Sequence, residues 1–142
     1  MRMLTGTYEH TIDAKGRVIL PADLRAALGE HFFITKGLDQ CLSIYGENEW
    51  AELEQKLRKL PITDPNARSL VRHFSASGRP LECDRQGRFL VPANLRGYAG
   101  LEKEVVLTGM LNRVEVWSKS EWENCNTTET GELANLAAAY GI

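Results

Sequence analysis

The sequence predicts a mixed α+β protein built from two copies of one short β-rich unit with a helical linker between them. Three observations predict this class. An Asp-x-x-Gly-Arg motif occurs twice, each copy is followed by Pro and Leu-Arg at the same spacing, and strand-like and helix-like stretches alternate in the same order after both copies. The 142 residues are enough for one ordinary domain, or for two small units that share a core.

The repeat extends beyond the motif. Residues 13–25 align with residues 84–96 at an offset of 71, and Trp50 aligns with Trp122 at an offset of 72. The alignment divides the chain into a first unit, a helical linker, a second unit and an acidic tail, over residues 4–50, 51–75, 76–122 and 123–142. Units of about 45 residues rarely bury enough apolar surface to be stable alone. We therefore expect the two units to pack together as one barrel with approximate two-fold symmetry.

Each unit is predicted to contain a strand, a tight turn, a return strand, a short helix and two further strands. In the first unit the expected strands are residues 5–12, 18–20, 32–34 and 41–44. In the second unit they are residues 81–83, 89–91, 105–107 and 114–117. Gly16 supplies the positive φ that the first turn requires, and Pro21 begins the short helix.

Helices are expected after each unit and through the linker. Leu53, Leu57 and Leu60 are spaced to share one helix face, and Asp64-Pro65 is typical of the start of a second linker helix. Ser118-x-x-Glu121 has the capping-box pattern at the start of the helix that follows the second unit. The end of the chain has helical spacing at Leu133, Leu136, Ala137 and Tyr140, which is consistent with a C-terminal helix that contacts another subunit or with a poorly ordered end.

The formal net charge of −2 counts, at first sight, against nucleic acid as a partner. The charge is unevenly distributed, however. Residues 115–142 contain five acidic residues and one lysine, whereas residues 79–96 contain four arginines and two acidic residues. The basic charge is therefore concentrated around the second motif, and the acidic charge lies at the end of the chain.

Signatures of catalysis and of metal binding are absent from the sequence. The three histidines are scattered, and the three cysteines are far apart without metal-ligand spacing. We expect no catalytic residues, no metal, no cofactor and no small-molecule substrate. No stretch is long and apolar enough for a membrane span or a signal peptide, so we expect a cytoplasmic protein.

The two motif turns are the candidate functional sites. A β-ribbon tip with basic residues can enter the major groove of DNA, where Arg bonds to guanine and Lys contacts phosphate. The candidates are Lys15 and Arg17 in the first turn and Arg85 and Arg88 in the second. A structural alternative stays open, in which Asp13–Arg17 and Asp84–Arg88 are ion pairs that fix turns shaped by Gly16 and Gly87. Exposed pairs contribute only about 0–1 kcal/mol, a weak reason to build the same pair twice.

The pattern Asp-x-x-Gly-Arg-x-apolar-apolar-Pro-x-x-Leu-Arg resembles the SpoVT-AbrB type of swapped-hairpin DNA-binding unit. Two such units in a chain of this length, with Trp50 and Trp122 after them, resemble the MraZ family of regulators of the bacterial division and cell-wall gene cluster. The resemblance implies a cytoplasmic, nucleoid-associated transcriptional regulator that is not an enzyme. It also implies a ring-shaped homo-oligomer on double-stranded DNA, bound at short direct repeats upstream of its own operon.

The resemblance assigns DNA contact to Lys15 and Arg17, with Arg2 and His10 as flanking phosphate contacts. In the second unit it extends to Arg88, and Arg85 supplies a nearby charge. Gln86 stands where the first turn has Lys15, which leaves open whether the second turn binds DNA or serves structure and assembly. Two further hypotheses stay open, namely an antitoxin-like or scaffold protein with mainly protein partners, and an enzyme of unrecognised type on a small barrel.

Overall fold

The computed structural model describes residues 3–125 and 127–142. In this part of the chain there are eight strands: β1 Thr7–Thr11, β2 Arg17–Ile19, β3 Phe32–Lys36, β4 Leu42–Gly46, β5 Arg79–Leu81, β6 Arg88–Leu90, β7 Glu104–Gly109 and β8 Val114–Ser118. There are six helices: α1 Ala22–Leu28, α2 Glu47–Arg58, α3 Pro65–Ser75, α4 Ala93–Ala99, α5 Lys119–Cys125 and α6 Thr130–Ala139. The predicted mixed α+β class is confirmed.

The strands form two antiparallel sheets, and both sheets contain strands from both units. Six strands pair in the order β1-β7-β8-β4-β3-β5, and β2 pairs separately with β6. The first strand of each unit therefore pairs with the other unit, β1 with β7 and β5 with β3. Among the described residues β1 and β5 are the edges of an open sheet, whereas the sequence predicted a barrel. The three-residue strands β2 and β6 pair with each other and do not bridge those edges.

Strand β5 lies two residues earlier than predicted. It pairs with β3 from Arg79 to Leu81, whereas the sequence favoured residues 81–83. Pro80 argues against a strand at this point because it lacks a backbone N–H, but proline is tolerated in an edge strand, and β5 is one. The backbone N–H of Asp84 donates to the carbonyl of Arg88 within the second turn, so strand pairing with β3 ends before this residue.

The two units share one hydrophobic core. A single cluster joins buried side chains of the first unit, among them Val18, Leu24, Ile34 and Ile44, to buried side chains of the second, among them Phe89, Leu95, Val105 and Val116. Leu24 and Leu28 of α1 face this core as the spacing predicted. Each unit therefore needs the other to bury its part of this core from solvent.

Helix starts follow the predicted capping residues. The Asp64 carboxylate accepts the backbone N–H of Asn66 at 2.9 Å, and Pro65 is the first residue of α3. The Ser118 hydroxyl accepts the backbone N–H of Glu121 at 3.2 Å at the start of α5. Helix α2 begins before residue 51 and α3 ends at Ser75, so the segment predicted to be a helical linker lies in these two helices and the turn between them, and α6 is the last helix of the chain.

Candidate nucleic-acid interface

The first turn, residues 13–17, is closed by a single carboxylate. One oxygen of Asp13 accepts the backbone N–H groups of Lys15 and Arg17 at 3.0 and 2.9 Å. The other oxygen accepts Nε of Arg17 at 2.7 Å. Gly16 has φ of +88° and donates its N–H to the carbonyl of Asp13 at 2.9 Å. Asp13 therefore fixes both the backbone of the turn and the direction of the Arg17 side chain.

The second turn, residues 84–88, repeats this geometry. Asp84 accepts the backbone N–H groups of Gln86 and Arg88 at 2.9 and 3.0 Å, and its other oxygen accepts Nε of Arg88 at 2.8 Å. Gly87 has φ of +78°. The two turns therefore share one set of hydrogen bonds, and the roles of the two aspartates and two glycines in shaping them stay predictions.

The ion pairs do not occupy the whole guanidinium groups. Within the described residues, Arg17 and Arg88 each bond to their aspartate through Nε, and about a third of each side chain is exposed. This leaves the two Nη groups of each arginine for a bidentate partner. The structural and the DNA-contact interpretations of the pair are thus compatible, because an ion pair that holds the side chain in place lowers the entropy lost on binding.

Both arginines project from one face of a two-stranded ribbon formed by β2 and β6. Arg17 pairs with Leu90, Val18 with Phe89 and Ile19 with Arg88. Since paired residues and residues two apart point to the same side of a sheet, Arg17, Ile19, Arg88 and Leu90 form one face, hereafter the outer face. Val18 and Phe89 form the opposite face and are 0% and 1% exposed, whereas Ile19 and Leu90 are 45% and 54% exposed.

Backbone hydrogen bonds tie each turn to the opposite unit. The carbonyl of Gly16 accepts the N–H of Val91, and the carbonyl of Gly87 accepts the N–H of Leu20, both at 2.9 Å. The pattern is reciprocal, because each bond is the repeat counterpart of the other. The position of each turn therefore depends on the strand after the other turn.

Two further arginines lie against the turns, and the sequence did not reveal these contacts. Arg96 at α4 donates from Nη1 to the carbonyl of Val91 at 2.7 Å and packs against Gly16. Its counterpart Arg25 lies beside Gly87 and lines a surface groove of about 840 Å³ together with Arg85. The repeated Leu-Arg pair was the one sequence feature that pointed to Arg25 and Arg96. Their position next to the turn of the other unit follows from strand pairing between the units, which the sequence does not specify.

The remaining predicted site residues occupy different environments. Lys15 and Arg85 are exposed in the first and second turn. His10 is half-buried in β1, at alternate positions with Tyr8 and the buried Ile12, so it lies in the strand before the turn. Arg2 lies outside the described residues. The structure thus brings Arg17 and Arg88 together on the outer face, places Lys15 and Arg85 in the adjoining turns, and leaves the roles of His10 and Arg2 as predictions.

The two turn glycines allow a matched stability test. A Cβ on Gly16 would overlap the Arg96 guanidinium, whereas a Cβ on Gly87 would lie 3.6 Å from Nη1 of Arg25, an ordinary contact. Both substitutions incur the cost of a positive φ, about 1–2 kcal/mol. Gly16→Ala also displaces the Arg96–Val91 hydrogen bond, so we expect it to lower the free energy of unfolding by about 1 kcal/mol more than Gly87→Ala. Urea denaturation at equal protein concentration measures the difference, and equal losses would contradict this role of Arg96.

The turns are predicted to be insensitive to pH in the neutral range. The pKa of Asp13 is lowered, mainly by the backbone N–H of Arg17 and also by the side chain of that arginine, and Arg88 lowers the pKa of Asp84 in the same way. A lowered pKa in the folded state means that the stabilising contribution is present above the unfolded value of about 3.9 and is lost as the pH falls through the folded value. NMR titration of the two carboxyl groups should therefore give midpoints below about 3.9. A midpoint in the neutral range would show that the turns are not closed as described.

The fold and the site together define a class of protein with a tandem duplication. Each repeat contributes an arginine-containing turn closed by an aspartate, and the two turns flank a ribbon formed between the repeats. A family model described as "MraZ protein, putative antitoxin-like" matches residues 3–73 and 78–138. The chain belongs to the MraZ family, which confirms the resemblance seen in the two motifs.

Curated relatives cover nearly the whole chain. A protein of Acetivibrio thermocellus is 52% identical over 135 residues, which are 95% of this chain and 94% of the relative. A protein of Alkaliphilus oremlandii is 50% identical over 143 residues, which cover 99% of this chain and 100% of the relative. A protein of Moorella thermoacetica is 56% identical over 127 residues, 89% of each chain. Each of these relatives is named "Transcriptional regulator MraZ".

Membrane-spanning helices and clusters of metal-binding side chains are both absent from the described residues. No helix within residues 3–125 and 127–142 is long and apolar enough to cross a membrane. The same residues contain no group of three or more His, Cys, Asp or Glu side chains placed to hold a metal ion.

Proposed function

We propose that this protein is a sequence-specific, DNA-binding transcriptional regulator that contacts double-stranded DNA through the outer face and its two turns. The observation that supports this most directly is the placement of Arg17 and Arg88 on one exposed face of the β2–β6 ribbon. A two-stranded ribbon fits the major groove, which is about 12 Å wide. The two arginines are two positions apart along the ribbon, about 7 Å from the rise of a strand, so both can contact bases in one groove.

The chemistry of the outer face suits direct base recognition. Arg makes bidentate hydrogen bonds to O6 and N7 of guanine, and exposed apolar side chains such as Ile19 and Leu90 can contact the methyl group of thymine. Lys15 and Arg85, which are exposed in the turns, are the proposed phosphate contacts. The proposed operator therefore presents guanine next to thymine within each recognised element.

We further propose that the two units are swapped hairpins related by an approximate two-fold axis through the ribbon. Support comes from the register, in which Val18 pairs with its own repeat counterpart Phe89. Likewise, Ser43 of β4 pairs with its counterpart Glu115 of β8. The boundaries expected from the sequence, residues 4–50 and 76–122, remain our proposed division into units, with the linker between them and the tail after them.

The two turns are proposed to contribute unequally. Gln86 occupies the position of Lys15, so the second turn offers a neutral amide where the first offers an ammonium group. Arg85 supplies the charge one position earlier. We expect the first turn to account for more of the phosphate contact, while Arg17 and Arg88 both contribute to base recognition.

Assembly and genomic context form the last part of the proposal. A homo-oligomer, ring-shaped as the family resemblance implies, would bind short direct repeats with several subunits at once and so raise the affinity of weak single contacts through effective concentration. This accounts for DNA binding by a chain with a net charge of −2. We place the repeats upstream of the protein's own operon in the division and cell-wall gene cluster, and the protein in the cytoplasm at the nucleoid.

A salt titration tests base recognition. The parent chain is titrated onto duplex DNA from upstream of its own gene and onto a scrambled duplex of equal composition, between about 50 and 200 mM salt. We expect binding to both to weaken with salt, with tighter binding to the upstream sequence persisting throughout. Equal affinity for the two duplexes would indicate phosphate contact only and would reject sequence-specific regulation. Absence of binding to either duplex would favour the antitoxin-like or scaffold alternative.

A further inference from the structure

Helix α6, at the end of the chain, is an apolar helix that exposes large apolar side chains. None of its residues is buried, and Leu133, Leu136 and Tyr140 are 51%, 46% and 81% exposed. A ten-residue helix is marginal in water on propensity alone, because most helical stability in proteins comes from packing of an apolar face. Packing of the exposed side of α6 against another surface would supply the stability that propensity alone does not give.

A groove between α2 and α3 has the complementary character. It encloses about 310 Å³, with Leu57, Ile62 and Val71 in its apolar lining and Arg58, Arg68 and Arg72 around it. Ile62 is 79% exposed, so a large apolar side chain here also lacks cover. The helices α2 and α3 contain 12 and 11 residues, which at 1.5 Å per residue makes them about as long as α6.

The charges around the two surfaces are opposite. Residues 56–72 contain five basic residues and one acidic residue, whereas residues 120–142 contain four acidic residues and no lysine or arginine. Glu129 and Glu132 lie at the start of α6, close to its apolar side chains. An apolar contact surrounded by opposite charges is the arrangement that gives an interface both affinity and orientation.

We infer that α6 of one copy docks in the α2–α3 groove of a second copy. The two surfaces are different parts of the chain, so the contact is heterologous, and heterologous contacts generate rings when the rotation closes. The inference deepens the homo-oligomer of the proposed function by naming the two surfaces that meet. It does not depend on DNA recognition, since neither surface includes the outer face.

A charge-exchange experiment on the full-length chain tests the inference without DNA. The tail variant combines Glu129→Arg with Glu132→Arg, and the groove variant combines Arg68→Glu with Arg72→Glu. A control with the same charge change at exposed sites outside α6 combines Glu30→Arg with Glu102→Arg. Mass is measured by light scattering after size-exclusion chromatography, and folding by circular dichroism.

We expect each of the two variants alone to self-associate at least about tenfold more weakly than the parent, and the control to match the parent. An equimolar mixture should recover the parent mass, because every docking contact in an alternating assembly then joins opposite charges. If the groove variant does not fold, the tail variant alone tests the inference. Its substitutions should not disturb folding, because α6 contributes no buried residue.

Three results would overturn the inference. The first is a parent chain that remains a single subunit at micromolar concentration. The second is a tail variant that assembles like the parent. The third is a loss of assembly that is not restored by mixing the two variants but is restored in a single chain that carries all four substitutions. That result would place α6 in the groove of its own chain. In each case the affinity for operator DNA remains a separate measurement, so failure here is distinguishable from failure of DNA recognition.

Discussion

Arg17→Ala is expected to weaken binding to the upstream duplex by at least about 100-fold while leaving the protein folded. A bidentate arginine–guanine contact is worth about 1–3 kcal/mol of discrimination, and the substitution removes it from every subunit that contacts a repeat. The loss of the Asp13–Arg17 ion pair itself affects stability little, because the pair is partly exposed. Fluorescence anisotropy with labelled upstream and scrambled duplexes measures the change.

Lys119→Ala is the matched control for this experiment. Lys119 also forms a partly exposed ion pair, with Glu104 at 3.4 Å, but it lies in α5, outside both the ribbon and the α2–α3 groove. Both variants lose one positive charge and one partly exposed ion pair, so any nonspecific effect of charge is common to them. We expect Lys119→Ala to bind within about threefold of the parent, the range of a minor surface change. Equal affinities of Arg17→Ala and the parent would refute the assignment of Arg17 to DNA contact.

Asp13→Asn separates the two roles of the turn. The amide oxygen can still accept the backbone N–H of Lys15 or Arg17, but it no longer offers a charged partner to the Arg17 guanidinium. If the ion pair orients Arg17 for DNA, this variant should lose part of the discrimination between upstream and scrambled duplexes while its overall salt dependence is retained. Unchanged discrimination would limit Asp13 to a purely structural role.

Local features of the molecule were predictable because their causes are local. The turn residues Asp13 and Gly16, the Asp64 and Ser118 caps and the buried positions of α1 depend on short-range geometry that a repeated motif makes visible. The repeat also predicted that the units share a core, since each is too small alone. Membership of the MraZ family was visible in the same two motifs.

Other features depend on contacts that are distant in sequence. The pairing of β1 with β7 and of β5 with β3, and with it the open six-stranded sheet, joins strands more than forty residues apart, which periodicity does not specify. For the same reason, the packing of Arg96 on Gly16 was not predictable. The exposure of Ile19 and Leu90 was hidden in runs of three apolar residues, where the middle position of a half-buried strand is the one that faces outward.

Phe89→Ala is expected to have the largest effect on stability, lowering the free energy of unfolding by about 3–5 kcal/mol. Phe89 is 1% exposed, pairs with Val18 across the ribbon and belongs to the large core cluster that joins both units. The cavity left by the ring would lie under the outer face, between the two turns. Since native domains are stable by about 5–15 kcal/mol, a loss of this size threatens folding at physiological temperature.

Leu90→Ala is the natural comparison, because Leu90 is the next residue of β6 but is 54% exposed on the outer face. We expect it to cost less than about 1 kcal/mol in stability while weakening DNA binding through the lost apolar contact. Urea denaturation of both variants at one fixed protein concentration should give a single transition, as a core shared by the two units requires. Separate transitions for the two units, or equal losses of stability in the two variants, would show that the ribbon is not the structural link between the repeats and that the two turns are positioned independently.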